Sequence, residues 1–303
     1  MVMLGVLLFV AGLGTKLDEV AKTFRRPRLL FVGLTLNCLY PIVFVALSAV
    51  LLHVVGWRSM HQAQTLLVGF VMIGAMPVAG SSAAWSQNAD GNLALSLGLL
   101  WGSTLLSPIV SPLVFLAAGQ ITTGEYSEAL QAIGRQGSIA FLLLAVVLPS
   151  LLGLVVQRLL GRSRVTRALP VLKFLSVVDL LLLNYVNAAA SLPRVVARPE
   201  PGFIVLVLVL GAVMCAGAFA AGWWVPRRFG ARREDQTAMM FGLGMNNNGS
   251  SLVLAQAMLP DRPLVLVTII LYNLVQQVGA GVVDARRRPA PRRPEDLARS
   301  SAS

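Results

Sequence analysis

Apolar stretches of about twenty residues recur from one end of the sequence to the other, separated by short runs of charged residues, Gly and Pro. Lipid offers backbone N–H and C=O groups no water to bond with. A stretch of this length therefore crosses a bilayer only as a helix or as part of a closed barrel. The ten-residue segments of alternating polarity that mark barrel strands do not occur. The pattern predicts an all-α polytopic membrane protein of about nine transmembrane helices, over residues 2–15, 28–55, 64–88, 91–119, 139–160, 169–191, 203–225, 237–259 and 263–283. Residues 1–284 then form one membrane domain. Residues 285–303, charged and proline-rich, read as a disordered basic cytoplasmic tail.

The cations test this layout, because Lys and Arg collect in short cytoplasmic loops. Nineteen fall on one side of a nine-span chain: Lys16, Lys22, Arg25, Arg26, Arg28, Arg158, Arg162, Arg164, Arg167, Arg227, Arg228, Arg232, Arg233, Arg286, Arg287, Arg288, Arg292, Arg293 and Arg299. Five fall on the other side, Arg58, Arg135, Arg194, Arg198 and Arg262, and Lys173 lies within a span. The expected orientation has the N-terminus outside and the C-terminus inside the cell membrane, which we take as a bacterial inner membrane. Composition agrees with a membrane-embedded chain: of 303 residues 56% are hydrophobic and 13% charged, with a mean hydropathy of +0.75. The net charge of +12 belongs to the loops and tail that set topology, so nucleic acid is not an expected partner. Cys38 and Cys215 sit in apolar stretches and read as free small hydrophobes. Met1 to Gly14 lacks a basic opening and an Ala-x-Ala site, and reads as a short first span.

Spans three and eight differ from the rest. Span three carries Gly74-Ala-Met-Pro-Val-Ala-Gly-Ser-Ser82, and span eight carries Gly242-Leu-Gly-Met-Asn-Asn-Asn-Gly-Ser-Ser251. Both contain Met-x-x-x-Gly-Ser-Ser, from Met76 and from Met245. They are five spans apart, an odd number, so they run in opposite directions, as in an inverted-topology repeat. Pro77 removes a backbone donor, and Gly80 and Gly249 weaken helical preference, so these three are the expected breaks. A helix broken inside a membrane is tolerated only where protein or a wet cavity covers the freed groups. The positive ends of half-helices favour an anion, and freed carbonyls favour a small cation. Ser81, Ser82, Asn246, Asn247 and Asn248 are thus candidate substrate-binding residues. The alternative is that small residues allow close packing and the asparagines bond between helices.

These residues resemble the bile acid:sodium symporter family. The resemblance is carried by Asn88-Ala-Asp-Gly-Asn-Leu-Ala-Leu-Ser96 with Ser107-Pro-Ile-Val-Ser-Pro112, by Gly244-Met-Asn-Asn-Asn-Gly249, and by Gly12-Leu-Gly-Thr-Lys-Leu-Asp18 with Arg26-Pro27. It implies a nine-span form of a fold in which a panel of helices moves against a core whose two broken helices cross. It also implies two sodium sites. For the first, Ser82 and Ser96 match two serine ligands, while Ala83, Leu100 and Gly242 stand where an Asn, a Thr and a Glu are expected. For the second, Asn246 stands in place of a Gln, and Leu36 or Asn37 in place of another. Sodium is the single metal implied, with no organic cofactor.

Asp179 is an acid deep in a span, where a carboxylate is costly and functional by default. It could hold a cation or carry a proton, or lock two helices by hydrogen bonding. Asn184 and Asn187 are one turn apart, and Asn187 is a further substrate candidate. Asn273, Gln276 and Gln277 form a similar polar face, ranked lower because helix ends tolerate amides. His53 and His61 lack metal-ligand spacing, and no nucleophile–base motif or zinc motif of an enzyme is present in the sequence. The expected function is a secondary active transporter of a small organic anion by alternating access, with sodium as the candidate coupling ion. The alternatives are a proton-coupled carrier or uniporter of the same fold, or a non-transporting sensor or assembly protein. Partners are the anion and the bilayer, with no obligatory protein partner.

Overall fold

The computed structural model describes residues 1–23, 27–56, 60–197 and 200–288. Twelve helices organise them: α1 Val2–Leu13, α2 Leu17–Thr23, α3 Pro27–Val54, α4 Met60–Gly74, α5 Ser81–Asn88 and α6 Leu93–Ile121. They continue as α7 Gly124–Leu160, α8 Arg162–Ala197, α9 Pro201–Arg228, α10 Arg233–Gly244, α11 Asn248–Met258 and α12 Pro263–Arg287. No strand occurs among the described residues, and the fold is all-α. Among them α3, α6, α7, α9 and α12 are individually long and apolar enough to cross a membrane. The nine-span layout additionally needs α1, α8 and the two interrupted pairs, α4 with α5 and α10 with α11, to cross.

Local chemistry explains several helix features. Pro108 cannot donate to the Thr104 carbonyl, and the Ser107 hydroxyl donates to it instead at 2.7 Å. Two widened π turns interrupt α7, at Ile133–Gly137 and Leu142–Val147. The second immediately precedes Pro149, whose missing N–H would otherwise have bonded one turn back. The end of α1 is closed by Gln157, whose amide donates to the Leu13 and Thr15 carbonyls at 2.7 Å each. The sequence placed the fifth span at 139–160, but α7 starts at Gly124 and packs along α6 first.

Two packing groups result. In one, α1 lies on the C-terminal half of α7 and on α8. Gly12 and Gly153 let the backbones of α1 and α7 touch: a Cβ on Gly12 would stand 2.1 Å from the Ser150 carbonyl oxygen, and one on Gly153 2.0 Å from that of Phe9. In the other group, α3 packs on α6 and α9 packs on α10 and α12, around the interrupted helices. Its centre is apolar and fully buried, with Phe70, Phe115, Phe203, Phe241 and Tyr272 among its largest side chains. Ring contacts run through it, Phe70 meeting Tyr272 at 6.3 Å and Phe219 meeting Phe241 edge-on at 5.9 Å.

One expectation shifts at the C-terminal edge. Residues 285–287, assigned to the tail, continue α12. The Asp284–Arg288 ion pair at 2.7 Å and the hydrogen bond from Asn88 to Asp284 at 2.8 Å hold that end. Residues 289–303 lie outside the described ones. Asp18 pairs with Arg162 at 3.3 Å, and both remain exposed. Both cysteines are free, as read from their apolar surroundings.

Candidate functional site at the crossing of the broken helices

The two interruptions meet. Between α4 and α5, and between α10 and α11, the chain is extended for a few residues, and Val78 and Asn246 form an antiparallel bridge. Ala79 N donates to the Met245 carbonyl at 2.8 Å and Asn247 N to the Pro77 carbonyl at 2.9 Å. Groups that no helix can satisfy thus satisfy each other. The rest are closed by side chains from neighbouring helices. Ser103 Oγ accepts from Val78 N at 3.0 Å, and Ser111 Oγ donates to the Ala75 carbonyl at 2.5 Å.

Gln276 does the most. Its Oε1 accepts from Asn246 N at 3.0 Å and its Nε2 donates to the Asn246 carbonyl at 3.2 Å, so the side-chain amide acts as a third strand. Gln276 is buried. Its position near a helix end had ranked it low, although it is the amide that secures the crossing.

The candidate residues separate by what their atoms are occupied with. Pro77 lies in the first break, and Gly80 is the residue before α5. Gly249 is not in a break: it is the second residue of α11, and a Cβ there would lie 3.6 Å from Leu183 and 3.9 Å from Leu4. It lies within helix, and a Cβ there would make only ordinary contacts. Asn246 Nδ2 donates to the Ile73 carbonyl at 3.0 Å. Asn247 Oδ1 accepts from Ser250 N at 3.1 Å as the N-cap of α11. These two asparagines hold structure. Asn248 Nδ2 donates to Asn273 at 3.1 Å, but its Oδ1 is buried without a partner. Ser250 Oγ and Ser82 Oγ are likewise buried and unbonded. Ser81, beside Ser82, is exposed. Ser96 Oγ bonds Ser86 Oγ at 2.7 Å and the Asn92 carbonyl at 3.1 Å. Two half-helix N-termini therefore each carry a buried serine hydroxyl with nothing to donate to, and α11 adds an amide oxygen.

Asp179 lies on α8, away from the crossing bonds, and its Oδ2 is buried without a partner. Asn187 is on the same helix, and its side chain, like that of Asn184, is outside the described ones. His61, at the start of α4, bonds the Tyr126 hydroxyl at 2.9 Å. That hydroxyl also meets Thr65 Oγ1 at 2.6 Å. Beside them Arg262 stacks on Tyr126 and pairs with Glu125 at 2.6 Å. The carboxylate's hydrogen bond pushes the guanidinium further up from its already high range. No cluster of three metal-ligating side chains occurs among the described residues.

Residues 1–198, about two thirds of the chain, match the Sodium Bile acid symporter family. The chain belongs to that family. The family is one of transporters, not enzymes, and two of the chain's relatives carry transporter names. It is similar to an uncharacterized Bacillus subtilis protein, YbaS, at 24% identity over 71% of this chain and 67% of that one. It is 23% identical to the uncharacterized sodium-dependent transporter YocS of the same organism, over 84% of this chain and 73% of the other. It is 26% identical to the probable sodium/metabolite cotransporter BASS3 of Arabidopsis thaliana chloroplasts, over 82% of this chain but 53% of that one. The chain thus spans about half the length of that plant relative.

Sodium, which the family's name implies, does not fit the residues at the first implied site. Gly242, where a Glu is expected, faces Leu99: a Cβ there would stand 2.6 Å from Leu99 Cδ1. Leu29, Leu95, Leu99, Ala238, Met239 and Leu243 pack together around that point as an apolar cluster. A cation in such surroundings loses its water and gains no charge in return. At the second implied site, Asn37 and Asn246 do line one small cavity, but its other walls include Tyr40, Pro41, Met214, Leu243 and Tyr272, with no carboxylate.

Proposed function

We propose that this symporter-family protein is a secondary carrier of a small organic anion, working by alternating access across the cell membrane. The observation that carries this reading is the pair of half-helix N-termini whose buried hydroxyls, Ser82 Oγ and Ser250 Oγ, have no protein partner. A helix N-terminus favours negative charge, and an unspent hydroxyl donor beside it adds a hydrogen bond to an anion. Asn248, with one amide atom spent and its oxygen free, would orient a polar part of the same solute. Asn246, Asn247 and Gln276 serve by holding the two N-termini in place. The cation distribution supports an N-terminus outside and a C-terminus inside the cell.

Coupling is assigned away from sodium. YocS carries sodium dependence in its name, but the apolar cluster at Gly242 favours a proton-coupled carrier or a uniporter here. The test is uptake of radiolabelled organic anions, taurocholate among them, into proteoliposomes holding the full chain. Saturable uptake by wild type that Ser250→Ala and Asn248→Ala abolish, with unfolding temperatures unchanged, supports the reading. Uptake indifferent to both substitutions would refute the site.

A further inference from the structure

The helix α8 presents one seam to the protein. Between Arg162 and Leu183 the side chains withdrawn from the surroundings are Val165, Leu169, Leu172, Ser176, Asp179 and Leu183, and every other described side chain in that stretch is exposed. The spacing alternates four and three residues, the signature of a stripe packed along one line of neighbours. Leu169 reaches Gly14 next to α1, and Leu183 reaches Gly249 at the start of α11, each judged by where a Cβ on the glycine would fall, 3.9 and 3.6 Å away. The seam therefore runs from the end of α1 to the N-terminus proposed to hold the anion.

Two of its six positions are polar, and neither has a partner: Ser176 Oγ and Asp179 Oδ2 are buried and bond nothing. This argues against a helix-locking role, which would require a bond across the seam. Asp179 lies one turn, about 6 Å of axis, from Leu183. No titratable side chain faces it from α1 or α11, whose sequences contain none. The C-terminal half of α7 offers Arg158, at its far end, and α12 offers the buried Tyr272 with Asp284, Arg286 and Arg287 at its end. On α8 itself Arg162, Arg164 and Arg167 occupy the first turns, Arg167 being about 18 Å of axis away. Tyr185 is exposed, and Lys173 and Arg194 lie outside the described side chains.

We propose that Asp179, with Ser176 beside it, is a proton-binding site on the face of α8 that meets the anion-holding half-helix. Bulk water supplies the proton to Oδ2, and the neutral carboxyl gives it back to water when that face is exposed again. A proton suits this place where sodium does not. Sodium needs several oxygens, and the seam holds a hydroxyl and one carboxyl among leucines and a valine, whereas a carboxyl made neutral needs no counter-charge. The proposal rests on the carrier reading for its purpose, but its test does not need a substrate.

The test is the unfolding temperature of the purified full chain in detergent between about pH 5 and pH 8.5, for wild type and Asp179→Asn, in choline and in sodium at equal ionic strength. Linkage sets the sign: a group that folds more comfortably protonated stabilises at low pH and loses that contribution as pH rises. Wild type and Asp179→Asn should coincide at the acid end, and wild type should fall several degrees below the variant at the alkaline end. Asp179→Leu, which makes the seam more uniformly apolar, should behave like the asparagine variant and serves if that one folds poorly. A difference that does not change with pH overturns the proposal. A sodium-specific stabilisation lost in Asp179→Asn overturns it too, in favour of a metal ion at the same carboxyl. Absence of anion uptake alongside a pH-dependent difference would sink the carrier reading and leave the proton site standing.

Discussion

Replacing Gln276 by leucine should be the most damaging single change of an uncharged side chain at the crossing. The substitution keeps volume and helix propensity but removes both bonds to the Asn246 backbone, at 3.0 and 3.2 Å. Hydrogen bonds between side chains in membrane proteins average only about 0.6 kcal/mol, because the loosened groups find other partners. Asn246 N cannot do so, because the helix is interrupted there and the Gln276 side chain is 1% exposed, whereas the Asn246 carbonyl keeps Asn248 N as a donor at 2.9 Å. The relevant cost is that of one buried backbone N–H left unsatisfied, about 1–3 kcal/mol. Equilibrium unfolding in mixed dodecyl maltoside and SDS micelles measures it. Gln277→Leu, one residue on and exposed, is the control and should lie near wild type. A loss below about 1 kcal/mol for Gln276→Leu would refute the idea that a side chain completes the crossing.

Three further changes test other parts. Gly242→Glu, which restores the carboxylate the family resemblance implies, should destabilise by about 1–3 kcal/mol through its clash with Leu99 and gain no sodium response; sodium-dependent stabilisation of this variant would contradict the apolar-cluster argument. Gly12→Ala should cost more than Gly102→Ala in the same unfolding assay, because the first meets the Ser150 backbone at 2.1 Å and the second the Leu34 side chain, which can turn away, at 3.1 Å. Tyr126→Phe should cost about 1–2 kcal/mol by stripping a buried hydroxyl from Thr65 and His61, whereas Glu125→Gln, at an exposed ion pair, should leave stability nearly unchanged; the reverse order would mean the ion pair, not the hydroxyl, ties α7 to α4 and α12.

The repeated Met-x-x-x-Gly-Ser-Ser announced the two interrupted helices because small and polar residues in a lipid-length segment have few other uses. What it could not announce was how the breaks are closed. The bridge at Val78 and Asn246 is made of backbone, which every sequence has, and Gln276 reads locally as a helix-end amide. Gly249 differs for a related reason: a glycine beside three asparagines suggests a turn, yet it falls within the first turn of α11, one residue past the interruption. The seam on α8 was written in the alternation from Val165 to Leu183, but it becomes visible only once exposure marks which face is withdrawn. The π turns of α7 had no sequence mark beyond Pro149, and so its start at Gly124 was missed. Along α12 the arginines at 286–288 looked like tail, because a loop-side charge run and a helix capped by Asp284–Arg288 have the same composition.

The two bonds that make the bridge between Val78 and Asn246, from Ala79 N to the Met245 carbonyl and from Asn247 N to the Pro77 carbonyl, include no side-chain atom on either broken segment. This backbone link does not depend on the residues that stand at the implied ion-ligand positions. Ala83, Leu100 and Gly242 can therefore stand where ion ligands are expected without the crossing coming apart, and the same scaffold is free to be rewired from one driving ion to another while its cargo berth stays put.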